Sequence, residues 1–306
     1  AFVLVISICA ALVVVAIGLL GLTYLLVNKT NGEIESSGSV RKYLIHVPRS
    51  YDAAKLAPLV ISFHGFAEWP AHQMEISHWN DLADEQGFIV VYPLGTRIPL
   101  RWNAYDPEGS GTDSGAEVQF IADLIDKLSG EYSIDPSRVY ANGLSNGGGM
   151  SVLLACRLSA RVAAIGSVSG AHVLPWEHCG PGRPVPIIDF HGTEDPIVPY
   201  EGGGNSGLGS HFPNVPAWIQ AWARRNGCDP VPLELPSRGQ VSGVEYARCK
   251  QDAGVVFYTV HGGGHAWPGG VALPEYLVGH TTRDIDATRV MWEFFSRYSL
   301  PEQPSN

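Results

Sequence analysis

From about residue 40 onward, short apolar runs alternate with amphipathic stretches. The strand-like runs are KYLIHV (42–47), LVISFHG (59–65), GFIVVYP (87–93), RVYANG (138–143), AAIGSVSG (163–170), PIIDFHG (186–192) and VVFYTVHG (255–262). Several are unbroken and rich in β-branched residues, as strands covered on both faces should be. Between them, EVQFIADLIDKL (117–128) sets Val118, Ile121, Leu124, Ile125 and Leu128 on one side with charges opposite. DATRVMWEFFSRY (286–298) repeats that pattern, and GMSVLLACRL (149–158) is a third helical stretch. Such alternation predicts an α/β fold, a mostly parallel sheet with helices on both faces. No internal repeat or second linker interrupts residues 40–306, which are expected to form one domain.

The first 28 residues follow another pattern. They carry no charge, and only Ser7, Thr23 and Asn28 are clearly polar. A helix of that length, at about 1.5 Å per residue, exceeds a hydrocarbon core of about 30 Å. A signal peptide is the alternative, but TYLLVNKT lacks an A-x-A-like end. Residues 1–28 are therefore expected to be a transmembrane anchor, and 29–39 a polar linker.

Composition narrows the function classes. Apolar residues make up 45% and charged residues 16%, which describes a globular chain. A net charge of −10 leaves no basic footprint for nucleic acid. Of five cysteines, Cys9 lies in the apolar segment. Cys156, Cys179, Cys228 and Cys249 lack zinc-site spacing. Behind an apolar leader they suggest disulfides in an extracytoplasmic, oxidising compartment, membrane-anchored or secreted. Cys228 with Cys249 is the preferred pair, since both lie in the loop-rich stretch before the last strand. Cys156 with Cys179 would follow; buried free thiols are the alternative.

Candidate chemistry collects where strands end. Gly143-Leu144-Ser145-Asn146-Gly147 follows RVYANG and precedes a helical stretch, the setting of a nucleophile elbow. Asp195 lies just beyond PIIDFHG, where an acid can orient an imidazole. His265 follows the last strand in a glycine-rich loop and can act as general base. His261 is nearer the strand and is expected to be structural. The order Ser, Asp, His is that of α/β-hydrolases. An oxyanion also needs preset donors. The N–H of Asn146 is one, and the loop FHGFAEWP (63–70) suggests Phe66 as the other. Trp69, Trp102 and Trp267 are candidates for the wall of a substrate cleft, with Trp267 favoured by its nearness to His265.

The segments FHGFAEWP, LADEQGFIVVYP, RWN, IDPSRVYANGLSNGGGM, VSG, FHGTEDPIVPY, NGCDP and GGGHAWPGG, in this order, resemble the esterase family containing polyhydroxybutyrate depolymerases, feruloyl esterases and some acetylxylan esterases. The resemblance runs from about Val40 to the C-terminus. It implies an α/β-hydrolase fold and a serine esterase with Ser145 as nucleophile, Asp195 as acid and His265 as base. No metal or organic cofactor is implied. The implied partners are feruloyl-type or short polyester esters; the membrane is expected as a partner through residues 1–28 from their apolar run, which is itself unusual for the family. Two departures stand out. Glu117 replaces an aspartate common in the family, and the linker and substrate-binding domain of extracellular polymer depolymerases are not seen. A membrane-tethered binding module and a serine peptidase are the rival readings.

Overall fold

The computed structural model describes residues 29–104, 114–205 and 210–301. The expected anchor at 1–28 lies outside them; among the described residues, no helix is long and apolar enough to cross a membrane.

The strands are β1 (Gly32–Ser36), β2 (Ser39–His46), β3 (Ala57–Phe63), β4 (Ile89–Pro93), β5 (Ile134–Leu144), β6 (Ala164–Val168), β7 (Ile187–Gly192), β8 (Gly203–Asn205), β9 (Ser210–Phe212), β10 (Leu233–Arg238), β11 (Val241–Tyr246) and β12 (Val255–Val260). The helices are α1 (Pro70–Ser77), α2 (Trp79–Gln86), α3 (Ser114–Glu131), α4 (Asn146–Arg157), α5 (Val215–Arg225), α6 (Glu275–Val278) and α7 (Ala287–Phe295). Ten strands form one sheet in the order β1-β2-β4-β3-β5-β6-β7-β12-β11-β10, while β8 and β9 pair separately. The stretch from β4 to β12 is parallel, and antiparallel hairpins extend it at both edges.

The alternation of side chains along a strand builds two core layers. Leu59, Ile61 and Phe63 of β3 join Phe120, Ile121 and Leu124 of α3, Leu153 of α4, and Trp218 and Trp222 of α5. Val60 points the other way, to a layer with Trp79 of α2 and Met291, Phe294 and Phe295 of α7. Asn214 caps α5 by accepting the Ala217 N–H, and Asp286 caps α7 by accepting that of Arg289. The expected helices on both faces are present. The expected linker is corrected: residues 32–36 are β1, paired with β2 from Gly32 against Tyr43 to Ser36 against Ser39. Glu117 is buried in α3 and bonds the Arg41 guanidinium of β2 at 2.8 Å.

Both expected disulfides are formed. Cys156–Cys179 ties the end of α4 to the loop before β7, and Cys228–Cys249 ties the end of α5 to the segment after β11. Their sequence separations are 23 and 21 residues. Loops of that size correspond to about 3 kcal/mol of stability each. Replacing Cys228 and Cys249 by serine should lower the urea midpoint accordingly. An unchanged midpoint would count against a stabilising role for that bond.

Candidate active site

Ser145 stands between β5 and α4 with φ 56° and ψ −117°, a conformation that side chains other than hydrogen rarely adopt. The turn is sharp because the first turn of α4 lies against the end of β3. A Cβ on Gly147 would stand 2.7 Å from the Phe63 carbonyl carbon and 2.8 Å from the His64 oxygen. Only glycine fits there. Ser145 is nearly buried at 8% exposure, and its hydroxyl makes no hydrogen bond among the described residues.

Asp195 and His265 are joined, with Nδ1 of the imidazole 2.8 Å from Oδ2 of the carboxyl. A carboxylate only accepts, so Nδ1 carries the proton and Nε2 is left basic. The other oxygen, Oδ1, accepts the N–H groups of Ile197 and Val198, each at 2.8 Å. Burial alone would raise the Asp195 carboxyl. The attraction and hydrogen bond of His265 and the Val198 N–H hold it below the ordinary value instead. The His265 loop is strapped from outside: its N–H donates to Val278 O of α6 at 2.5 Å, and Gly264 N–H donates to His280 O at 2.9 Å. Ser145, Asp195 and His265 thus follow the C-terminal ends of β5, β7 and β12, on one edge of the sheet.

The loop after β3 is tied from several directions. Gly65 N–H donates to Glu68 Oε2 at 2.7 Å, and Ala67 N–H donates to Leu100 O at 2.8 Å. His64 donates from Nδ1 to Gly65 O at 2.8 Å and accepts the Gly95 N–H on Nε2 at 2.9 Å. Phe66 N–H has no partner among the described residues, and its side chain is exposed. Asn146 is the first residue of α4, so its N–H lacks an intrahelical acceptor. Its side chain clamps residue 102, taking the Trp102 N–H on Oδ1 at 2.7 Å and giving Nδ2–H to the Trp102 oxygen at 3.1 Å.

Two aromatic expectations need correction. Trp102 is 2% exposed, packs edge-on against Phe63 and donates from Nε1 to His64 O. Trp267 is equally buried and donates to Thr288 Oγ1 at 2.9 Å. Each indole finds its polar partner inside the core, which aims it away from a solvent cleft. Trp69 is half-buried beside His72. His261 is exposed and bonds Ser242 Oγ. Sequence reasoning passed over His64, Glu68, His172 and His191. The only sign of them was histidine or acid beside a strand end, a signal shared with many surface residues. Among the described residues, no three His, Cys, Asp or Glu side chains converge as metal ligands.

Burial pushes His64 down to about 4 and also lowers His191. Both are neutral in the fold, whereas an unfolded histidine titrates near pH 6.5. Below about pH 6.5 the unfolded chain therefore takes up protons first, and stability present above that pH is lost toward pH 4. At about 1.4 kcal/mol per unit, His64 accounts for roughly 3 kcal/mol. Urea midpoints should fall between pH 7 and 4.5; a flat profile would contradict this.

Comparison with known proteins agrees with this architecture. The family model for esterase PHB depolymerases matches residues 42–180. Feruloyl esterase B of Piromyces equi is 29% identical over 269 residues, 85% of this chain and 46% of that protein, so the chain spans about half its length. The putative esterase NocK of Nocardia uniformis subsp. tsuyamanensis is 29% identical over 283 residues, 87% of this chain and 82% of that one. Among solved structures, an acetyl xylan esterase from Aspergillus awamori superposes with a TM-score of 0.61 at 16% identity, covering 87% of this chain and 98% of the other; that likeness concerns the fold. With the strained serine turn and the Asp195–His265 pair on one sheet edge, the chain resembles the PHB-depolymerase esterases over residues 42–180 and a feruloyl esterase over most of its length.

Proposed function

We propose that this protein is a carboxylic ester hydrolase working through a serine acyl-enzyme. The observation that carries the reading is the Asp195–His265 hydrogen bond, which leaves a basic Nε2 on the sheet edge where the strained Ser145 turn emerges. His265 Nε2 takes the Ser145 proton as Oγ attacks the ester carbonyl carbon. Asp195 holds the ring and stabilises the imidazolium that forms. The carbonyl oxygen, now negative, is met by the N–H groups of Asn146 and Phe66. Collapse breaks the bond to the alkoxy oxygen, which leaves with the proton from His265. Water then adds to the acyl-enzyme, giving its proton to the same nitrogen, and the acid departs as Ser145 regains its hydrogen. Catalytic hydrogen bonds commonly tighten only with substrate bound, so the unbonded serine hydroxyl at rest is compatible with this role.

The substrates proposed are feruloyl-type aryl esters or short hydroxyalkanoate esters. The relatives' names support them, and exposed Phe66 with half-buried Trp69 supplies apolar surface for the acyl part. The two disulfides favour an oxidising, extracytoplasmic setting. The test is hydrolysis of p-nitrophenyl butyrate together with fluorophosphonate labelling. Turnover with label on Ser145 supports the reading, and methyl ferulate against hydroxybutyrate oligomers then ranks the substrates. A folded protein without turnover or label would overturn it.

A further inference from the structure

Asp189 and His191 are two residues apart on β7 and so share a face, that of Ile187. Ile187 belongs to the core layer containing Trp218 and Trp222 of α5. On that face Asp189 Oδ2 accepts a hydrogen bond from His172 Nε2 at 3.0 Å, with side-chain exposures of 0% and 1%. The His172 ring lies flat on Trp218, centroids 3.8 Å apart and planes within 5°. Its position and plane are therefore both fixed.

His172 closes the segment 168–172 that leaves β6, and this segment brackets Ser145. Ser145 N–H donates to Val168 O at 2.9 Å, and Ala171 N–H donates to Ser145 O at 2.9 Å. The peptide groups on both sides of the strained residue are held by this segment. It has positive-φ backbone of its own at Ser169, φ 46°, where the N–H donates to Phe190 O of β7. The first turn of α4 also seats on it: a Cβ on Gly148 would stand 2.8 Å from Ser167 Oγ and 3.0 Å from Gly170 Cα. Any rotation of 168–172 would therefore be passed to the elbow.

Buried polar pairs are often replaceable by apolar ones without loss of stability. What an apolar pair lacks is direction. We propose that the His172–Asp189 pair is a positioning device for Ser145, fixing the 168–172 segment in the one orientation that holds the serine turn. It rests on the reading of Ser145 as nucleophile.

The test compares two substitutions at one site and one double change. His172→Gln keeps an N–H donor able to reach Asp189, while His172→Asn is too short to do so. His172→Phe with Asp189→Leu removes both partners and keeps a ring on Trp218. Each is assayed for urea midpoint, for kcat and KM on p-nitrophenyl butyrate, and for the rate of fluorophosphonate labelling at Ser145. The Asn and double variants should keep KM within about twofold and lose about 10- to 100-fold in kcat and labelling rate, the scale of a misplaced reacting group. The Gln variant should recover most of that loss. Folded Asn and double variants with wild-type kcat and labelling would overturn the proposal while leaving the nucleophile in place. A loss not relieved by Gln would also overturn it. Wild-type protein that takes no label on Ser145 would bring down the nucleophile reading, and this one with it.

Discussion

Ser145→Ala should reduce kcat by about 10⁴-fold or more, since removing a nucleophile leaves only binding and oxyanion stabilisation. KM and the melting temperature should barely move. Alanine retains a Cβ, so the unusual backbone of the turn is as costly as before. Ser145→Gly sharpens the prediction: it should be as inactive, yet more stable. Glycine tolerates φ 56° without strain, whereas a side chain there costs of order 1–3 kcal/mol. Glycine's greater unfolded-state entropy offsets about 0.5–1 kcal/mol of that relief. Thermal melts of the three proteins beside their p-nitrophenyl butyrate rates would decide it. Residual activity in both variants would remove Ser145 from the chemistry; equal melting temperatures would mean that the turn carries little strain.

The second large effect is expected at Gly147. An added methyl would meet backbone rather than movable side chains, at the carbonyl carbon of Phe63 and the oxygen of His64. The start of α4 must then move off the end of β3, at a cost of about 1–3 kcal/mol or more for overpacking. The same shift carries Ser145 and Asn146 away from the loop holding Phe66. Gly147→Ala should therefore lose at least about 10²-fold in kcat, because displacement of about 1 Å is enough for that. Gly130 in α3 is the control, since a Cβ there meets nothing within 4 Å. Gly130→Ala should be neutral or slightly stabilising in the same urea and kinetic measurements. Equal tolerance at the two positions would refute the steric account.

The central strands were legible because both faces are covered, so β3, β4, β6 and β7 consist of buried residues throughout. The edges were not. β1 alternates weakly as GEIES, and nearly every residue of β10 is exposed, so hydrophobic patterning has little to work on. α1 buries Gln73, which bonds Ser62 Oγ, and a buried polar residue breaks the apolar stripe. α5 is different: Val215, Trp218, Ile219 and Trp222 give a full helical stripe behind the Asn214 cap, a signal present in the sequence. At the candidate site, the places of Ser145, Asp195 and His265 just after β5, β7 and β12 were legible from the strand pattern. Trp267 was misjudged because nearness in sequence does not set side-chain direction, and its indole turns into the core toward Thr288. His172 was beyond reach, since its partner is 17 positions away and its support is Trp218 on another element.

Among the described residues the sheet does not close into a barrel, and on one side it ends at β10. An open edge with a regular row of N–H and C=O groups invites another chain to add a strand. Here the row is interrupted. Pro236 has no N–H to offer, the pairing with β11 slips between Leu235 and Arg238, and Glu234 and Arg238 bring charge to the same six residues. A second molecule approaching in solution meets a broken template, so this margin resists the strand-by-strand stacking that leads to aggregates, even at high protein concentration.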